Sequence, residues 1–331
     1  MIRSKTHFLC TALFGALLTA TTPAMAQDAA DNYPSTNLTL VVPFSAGGGV
    51  DIVGRILAQT LAKEIGQSVV VENRPGASGM IGAGAVASAK PDGLTLLLAS
   101  SGESAINPHL YSKMSYDPAK DLAPVTLIAK IPNLVTAASD QPFDDPKSFV
   151  DYAKQNHSKM SYSSAGVGNI QNISGELLNS LLGTQILHIP YKGSAQALAD
   201  VTSGEVAFTF SSAAAALPYL QSGRIKAVGV TSEQPMKAFP DIPPLSSTPE
   251  LKDFVLVNWF GLFVTAGTPD AIIDKLNKAV VRSLNDPQVV QALETQGAEP
   301  APMTPAEFRQ FREEQSQLFG GIIKDANIQI D

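Results

Sequence analysis

The sequence predicts an α/β protein with two lobes, each lobe a mostly parallel sheet flanked by helices, and a ligand cleft between them. Apolar strand-like runs alternate with helical stretches: residues 38–42 form a short apolar run, and apolar residues spaced three and four apart follow over 52–65. Such alternation is typical of parallel sheets covered on both faces. Loops of small residues also stand where strand-like runs meet helical stretches, at 43–49 and again at 163–168.

The N-terminal segment, residues 1–26, has the features of a secretory signal peptide. A basic start at Arg3 and Lys5 precedes an apolar run at 8–18, and a small-x-small exit precedes Gln27, where we expect cleavage. The apolar run is too short to cross a bilayer about 30 Å thick, which disfavours a retained anchor helix.

Composition narrows the class of protein. The 331 residues carry 23 Lys and Arg against 30 Asp and Glu, for a net charge of −7, so nucleic acid and anionic lipid surfaces are poor partners. Cys10 is the single cysteine and leaves with the leader, so the remaining chain forms no disulfide. An exported chain without cysteine predicts a periplasmic protein, and we expect a monomer.

The first loop of small residues predicts an anion cradle. Ser45, Ala46, Gly47 and Gly48 stand between the run at 38–42 and the helix that follows, with Phe44 as an apolar wall. A helix N-terminus has free N–H groups and partial positive charge, and glycines let a ligand lie directly on the backbone. The alternative is a tight turn without a ligand.

Asp51 complicates that cradle, because an ionised carboxylate would repel an anion. In one interpretation Asp51 lies in the first turn of the helix and stabilises it through the helix dipole. In the other it holds an ammonium group of the ligand.

Further candidates lie at later junctions between strands and helices. They are Ser100, after the third run; Ser164, Ala165, Gly166 and Asn169, in the second loop; Tyr191 and Lys192, after the run at 185–189; and Ser211 and Ser212. In open α/β folds the carboxyl ends of parallel strands face the ligand crevice. The Lys192 ammonium group would then neutralise a distal carboxylate, or alternatively point into solvent.

The runs also predict how the chain divides. The remaining strand-like runs are 68–71, 94–99, 125–129, 134–138, 206–210, 225–230 and 254–264. We expect domain 1 to comprise 27–127 and 231–331, and domain 2 to comprise 128–230, although the pattern alone does not establish two crossings.

The final helix is marked by its own pattern. A capping box at 304–307 opens it, and an apolar stripe of Phe308, Phe311, Leu318 and Ile322 predicts docking on the core.

Enzyme signatures are weak. "GAGAVA" at 82–87 resembles a dinucleotide fingerprint, but its glycines do not end a strand, so a small-residue helix is the better interpretation. The chain contains no G-x-S-x-G and no S-x-x-K motif, and no pattern of metal ligands. His109, His157 and His188 are far apart in sequence. We therefore expect no catalysis and no cofactor.

Five segments in order resemble the Bug family, the periplasmic substrate-binding proteins of tripartite tricarboxylate transporters. They are "VVPFSAGGGVDIVGR", "VVVENRPGASGMIGAGAVASAKPDGLTLLL", "SYSSAGVG", "IPYKGSAQALADVTSGEV" and "GLFVTAGTPDAIIDKLN". The resemblance covers nearly all of 27–331. It implies a two-lobed, type II-like periplasmic-binding-protein fold, a small carboxylate ligand and a membrane permease as partner.

The resemblance also implies a set of ligand contacts. The carboxylate would be held by backbone groups and ordered water at residues 44–48, opposite Ser164, Ala165, Gly166 and Asn169. The chain departs from the family at 169–172, where a histidine is frequent, and at 211–214, where Asp and Asn are frequent. These smaller walls suggest a bulkier or aromatic dicarboxylate.

The sequence thus predicts capture without chemistry. Closure of the lobes would bury a carboxylate, and the closed form would deliver it to a permease. The runner-up is a periplasmic sensor that regulates a membrane signalling protein, and an orphan enzyme comes third.

Overall fold

Two β-sheets organise residues 32–191, 194–328 and 330, which the computed structural model describes. The signal peptide predicted at 1–26 lies outside these residues. The strands are β1 (Leu38–Val42), β2 (Val69–Asn73), β3 (Thr95–Ser100), β4 (Leu122–Ile131), β5 (Asn133–Ala138), β6 (Ser161–Ser164), β7 (Leu187–Pro190), β8 (Phe208–Ser212), β9 (Ile225–Val230), β10 (Asn258–Thr265) and β11 (Glu299–Pro300).

The first sheet has the strand order β11-β4-β10-β3-β1-β2. β1 pairs parallel with β2 and with β3, so that Val42 lies opposite Asn73 and Val41 opposite Leu97. β10 runs antiparallel between β3 and β4. This register brings the ends of β1 and β2 to one edge.

The second sheet has the order β7-β6-β8-β5-β9. β6 pairs parallel with β7 and β8, and Ser164 lies opposite Pro190. β5 runs antiparallel to both of its neighbours, β8 and β9. The loops after β6, β7 and β8 therefore lie at one edge.

The predicted α/β class is confirmed, and the sheets are mixed. The strands β1 to β4 share one direction and β10 and β11 oppose them, while β5 alone opposes the others in the second sheet. Apolar run length cannot reveal strand direction, because a central antiparallel strand is as fully buried as a parallel one.

Helices cover the sheets. They are α1 (Gly49–Ile65), α2 (Met80–Ala87), α3 (Asn107–Leu110), α4 (Pro146–Asn156), α5 (Ile170–Leu182), α6 (Ser194–Thr202), α7 (Ala213–Gln221), α8 (Asp270–Leu284), α9 (Pro287–Thr295) and α10 (Pro305–Asp325). A π-helical segment, Gly102–Ile106, leads directly into α3. No helix in the part of the chain described is long and apolar enough to span a membrane.

The chain passes from the first sheet to the second at Pro132 and returns between Val230 and Asn258. Residues 128–131, at the predicted start of domain 2, form the last part of β4, and Ile128, Ala129 and Ile131 pack in the core of the first sheet. The division into domains stays a prediction. The loop at 231–257 makes the return.

One apolar cluster joins the two sheets. It contains Leu97 of β3, Val135 of β5, Phe208 of β8 and Trp259 of β10, all fully buried. A second cluster fills the space between the first sheet and helices α1 and α8. The sheets therefore share a core and also keep separate outer layers.

The last helix, α10, docks as predicted, with one change of face. Its capping box at Thr304 and Glu307 is formed, and Phe308 and Ile322 are buried. Leu318 is 41 % exposed, however, and Phe319 takes the core position instead. The straight 3.6-residue period of the helix turns Leu318 outward, which a spacing of seven from Phe311 does not reveal.

Candidate functional site

The loops at the carboxyl ends of β1, β2 and β3 form the first half of the candidate site. Ser45, Ala46, Gly47 and Gly48 are exposed, while Phe44 is half-buried against the core. α1 begins immediately afterwards, at Gly49. The structure thus has the strand, loop and helix order that an anion cradle requires.

The start of α1 has no side-chain cap. Its N-cap residue is Gly48, and no side chain accepts a hydrogen bond there, whereas Asn169 and Ser212 cap α5 and α7. An added Cβ would meet no atom within 4 Å at Gly47 or Gly49. The loop before α1 therefore leaves room for an approaching group, and binding of an anion by the first N–H groups of α1 stays a prediction.

Asp51 ties this loop down from beneath. Its carboxylate is 2 % exposed, and Oδ2 accepts from the N–H of Gly47 at 2.8 Å and from Nε of Arg55 at 2.9 Å. Oδ1 accepts from Nδ2 of Asn73 at 2.9 Å, and the same amide donates to the carbonyl of Phe44 at 3.0 Å. Both carboxylate oxygens are therefore occupied within the protein.

Asp51 lies in the first turn of α1, as one of its two interpretations expects. Burial alone would raise its pKa, but the hydrogen bonds from Arg55, Gly47 and Asn73 outweigh burial and lower the pKa to about 2. The carboxylate is ionised, paired with Arg55 and turned toward the loop that it supports, and contact with a ligand ammonium group stays a prediction. It also occupies the N–H of Gly47, which the cradle would otherwise offer.

Ser100, predicted as a contact at the end of β3, is buried and its hydroxyl donates to Oε2 of Glu103 at 2.8 Å. Ser101 donates to Oδ1 of Asn258 at 2.8 Å. The hydroxyl groups at the end of β3 therefore have hydrogen-bond partners within the protein.

The second loop satisfies its own backbone. The N–H of Ala165 donates to Oε1 of Gln171 at 2.7 Å, and the N–H of Gly168 donates to Oδ1 of Asn172 at 2.9 Å. The N–H of Gly166 donates to Oγ of Ser164 at 3.1 Å. Three backbone N–H groups of the second loop therefore donate to side chains, whereas in the first loop the N–H of Gly47 does so.

A chain of hydrogen bonds fixes the protonation of His188 beside this loop. The Ser164 hydroxyl donates to the carbonyl of Gly166 at 2.7 Å. The Ser164 hydroxyl has only one proton to donate, so Nε2 of His188, which lies 2.7 Å from Oγ of Ser164, must be the donor in that contact. Nδ1 accepts from the amide of Asn172 at 3.3 Å, and burial lowers the pKa of His188 to about 4. A neutral histidine therefore locks the loop.

The remaining predicted residues also have partners within the protein. The hydroxyl of Ser211 is 2.9 Å from that of Thr136, and Ser212 caps α7. Tyr191 donates to Oδ2 of Asp200 at 2.5 Å, a contact that raises the pKa of Tyr191 to about 12. Lys192 lies outside the described residues.

The predicted side chains of the candidate site have one property in common, which is a hydrogen-bond partner within the protein. The predicted side chains of Asp51, Ser100, Ser164, Asn169, Tyr191, Ser211 and Ser212 hold loops in place. Ligand contacts by these residues remain predictions. The exposed backbone of 45–49 is the part left open.

Sequence reasoning missed the side chains that do the holding. Asn73 and Glu103 were not proposed, although each is a polar residue at or just beyond the end of a strand in the same sheet. Gln171 and Asn172, on the first turn of α5, were noted only as departures from a family pattern. No group of three or more potential metal ligands occurs in 32–191, 194–328 and 330.

Comparison with known proteins places these features in context. The family described as "Tripartite tricarboxylate transporter family receptor" matches residues 53–328. Protein BugT of Bordetella pertussis is 32 % identical over 94 % of this chain and 95 % of its own length. Among solved structures, that of Rpa4515 from R. palustris with adipate has a TM-score of 0.81. The two chains are 32 % identical, and the match covers 90 % of this chain and 99 % of Rpa4515. MatC from Rhodopseudomonas palustris with bound malate is 32 % identical, covers 88 % and 100 %, and has a TM-score of 0.75.

Proposed function

The chain belongs to the tripartite tricarboxylate transporter receptor family, as a Bug-type solute-binding protein, and from that premise we propose that it captures a small carboxylate by lobe closure and delivers it to a membrane permease. We further propose that it works in the periplasm as a monomer, after cleavage before Gln27. It carries out no reaction on the ligand and needs no cofactor.

The observation that carries this proposal is the uncapped start of α1. Ser45 to Gly49 are exposed, and the N-cap of α1 has no side-chain partner. A carboxylate placed there would satisfy helix N–H groups and gain from the helix dipole. Asp51 supports the same conclusion, because its charge is neutralised by Arg55 and does not reach the open side of the loop.

In the proposed mechanism two lobes, one built on each sheet, close around the ligand. The loops after β1, β2 and β3 form one lip, and the loops after β6, β7 and β8 form the other. The ligand drives closure only as far as it binds the closed state more tightly than the open one. The N–H groups of Ala165, Gly166 and Gly168 are already hydrogen-bonded in the second loop, so we expect little loop ordering to oppose capture.

A dicarboxylate is the ligand class we propose first. Two related solved structures are of complexes with adipate and with malate, and both ligands are dicarboxylates. The departure at 211–214 puts small side chains after β8, and the one at 169–172 lacks the frequent histidine, so aromatic acids belong in the same screen.

A thermal-shift screen of residues 27–331 tests the proposal. Protein unfolded and refolded to remove bound ligand is heated with mono-, di- and tricarboxylates, aromatic acids and amino acids. A ligand at a hundred times its dissociation constant adds roughly 2.7 kcal/mol to the free energy of unfolding. A shift confined to carboxylates is expected. Absence of any shift with all acids would contradict the proposal and favour a sensor of another ligand.

Gly47→Ala and Gly204→Ala form a matched pair that tests the cradle. Both glycines are exposed, have φ of +84° and +81°, and leave an added Cβ without a neighbour within 4 Å. Each substitution should cost about 1–2 kcal/mol of stability through the left-handed backbone. Only Gly47→Ala should also weaken binding of the carboxylate found in the screen, by roughly tenfold or more. Equal affinities measured by calorimetry for the two variants would contradict the cradle.

A further inference from the structure

A carboxyl group that the proposed capture does not use is buried beside the candidate site. The side chain of Glu103 is 0 % exposed. Its Oε2 accepts from the N–H of Ser100 at 2.7 Å and lies 2.8 Å from the Ser100 hydroxyl. Oε1 has no hydrogen-bond partner among the described residues. An unpaired oxygen in a fully buried carboxyl group is rare in folded proteins and calls for an explanation.

The surroundings of Glu103 favour its neutral form. Tyr116 donates to the backbone carbonyl of Glu103 at 2.7 Å and is the titratable side chain that faces it. No Lys, Arg or His within the described part of the chain pairs with the carboxyl group. Burial raises the pKa of Glu103 to about 7, although the hydrogen bonds from Ser100 oppose that rise. In the neutral acid the proton would lie on Oε2, so the bond to Ser100 would reverse: Oε2 would donate to Oγ of Ser100, and Oε1 would be an uncharged carbonyl oxygen.

The turn that follows β2 rests on this carboxyl group. Four successive residues, Gly76, Ala77, Ser78 and Gly79, have positive φ of 126°, 47°, 51° and 84°. A Cβ added to Gly79 would lie 2.1 Å from Oε1 of Glu103, so the backbone of the turn packs directly on that oxygen. Left-handed backbone is unfavourable for residues other than glycine. The surrounding contacts must therefore hold Ala77 and Ser78 in place.

Two more hydrogen bonds hold the turn. They come from Asn107, the first residue of α3, and from Tyr111, the residue just after α3. Nδ2 of Asn107 donates to the carbonyl of Ser78 at 3.0 Å, and the hydroxyls of Ser78 and Tyr111 are 2.8 Å apart. The turn also continues directly from β2, whose last residue, Asn73, supports Phe44 and Asp51. A shift of the turn would therefore reach the first loop.

We propose that Glu103, as a neutral carboxylic acid, is a positioning residue that holds the turn 76–79 and, through it, the geometry of the carboxylate site. Ionisation would place an uncompensated charge in the core, which costs several kcal/mol unless the turn opens and admits water. Opening the turn would then weaken carboxylate binding. This inference deepens the proposed function and rests on it for its effect on binding, whereas the effect on the turn stands by itself.

Hydrogen exchange followed by mass spectrometry tests the turn without any ligand. Peptides covering 72–87 are compared at about pH 6.5 and about pH 8.5, with correction for intrinsic exchange rates, in the wild type and in Glu103→Gln. The wild type should lose protection there by roughly tenfold at the higher pH. Glu103→Gln is the same size and stays neutral, so its protection should be equal at both values. Equal protection in the wild type at both values, or the same loss in the variant, would overturn the inference.

Calorimetric titration with adipate at the same two pH values measures the consequence for binding. Wild-type affinity should fall by roughly tenfold at the higher pH, and that of Glu103→Gln should stay within about twofold. Glu233→Gln, at an exposed glutamate, is the matched control and should behave like the wild type. If adipate binds at neither pH, adipate is not a ligand and the proposed function loses support, while the exchange result still decides whether Glu103 holds the turn. Binding that is independent of pH in the wild type would overturn the link to the site.

Discussion

Single polar side chains hold each loop at the carboxyl ends of the strands. Asp51 accepts from the backbone of the first loop, Glu103 lies under the turn after β2, and Gln171 bridges the second loop to the carbonyl of Phe210 at 2.6 Å. Each of these groups is buried, so losing one partner leaves the other unsatisfied. The shape of these loops therefore depends on buried polar side chains.

Asp51→Asn should lower both stability and carboxylate affinity. The pKa of Asp51 in the folded chain, about 2, lies below the usual value of 3.8. The stabilisation is therefore present above about pH 4 and is lost as the pH falls through about 2; it amounts to roughly 2 kcal/mol at neutral pH. Urea unfolding at about pH 7 and about pH 3 measures this, and the gap between wild type and variant should narrow at the lower pH.

Asp274→Asn, at an exposed aspartate on α8, is the control for this change. Its free energy of unfolding should differ from that of the wild type by less than about 0.5 kcal/mol. If Asp51→Asn were as mild as this control, the network around Asp51 would not be what shapes the loop.

The sequence could predict the open backbone of the site but not its buried side chains. Consecutive glycines between a strand and a helix are typical of an anion cradle and also of a tight turn, so residues 45–48 could be proposed as a candidate from the pattern alone. The roles of Ser100 and Tyr191 could not be, because each depends on a partner, Glu103 or Asp200, that only the folded packing brings near. A hydroxyl at a strand end looks the same whether it faces ligand or protein.

The elements follow the apolar runs closely where a strand is central and less closely at edges. The predicted run at 38–42 coincides with β1, whereas β11, two residues long at an edge of the first sheet, gave no apolar signal. Close packing of helix on strand is a second property of elements that needs the structure. Gly175 of α5 shows it, because a Cβ there would lie 2.1 Å from the ring of Tyr162.

Gly175→Ala should destabilise the protein although alanine favours helices. The ring of Tyr162 is fully buried, stacked on His188 at 4.9 Å and held by its hydroxyl 2.7 Å from Glu176, so it cannot yield to a methyl group. The expected loss is about 1–3 kcal/mol in the free energy of unfolding, measured by urea denaturation.

Gly321→Ala in α10 is the matched helix glycine with open space around it. Alanine there should stabilise the protein by roughly 0.5–1 kcal/mol. A stabilising effect at both positions would show that α5 can move away from β6, against the packing described.

At the scale of the whole molecule, the alternation of strands and helices predicted two lobes, but strand direction and the point of crossing came only from the structure. β4 continues to Ile131 because its apolar residues pack on the first sheet, and Pro132 then separates it from β5. The shared core is a further property that no local pattern contains, since it joins Leu97 to Phe208 across the two sheets.

The shared core predicts a single cooperative unfolding transition. Trp259 is the chain's one tryptophan, fully buried beside Phe308, and reports on the first sheet. Its fluorescence and the far-ultraviolet circular dichroism of the whole chain should therefore give the same midpoint in urea. Two separated midpoints would show that the sheets unfold independently and that the shared cluster contributes little.

The position of β10 sets the order in which the protein can be completed during synthesis. The strands of the second sheet occupy consecutive stretches from Asn133 to Val230, so that sheet can close as soon as this part of the chain is made. The first sheet lacks a central strand until Asn258–Thr265 arrives between β3 and β4. The sheet whose strands are made first is thus completed last. The exposed apolar edges of those strands must be shielded from other chains until about four-fifths of the polypeptide, up to Thr265 of 331 residues, has been made.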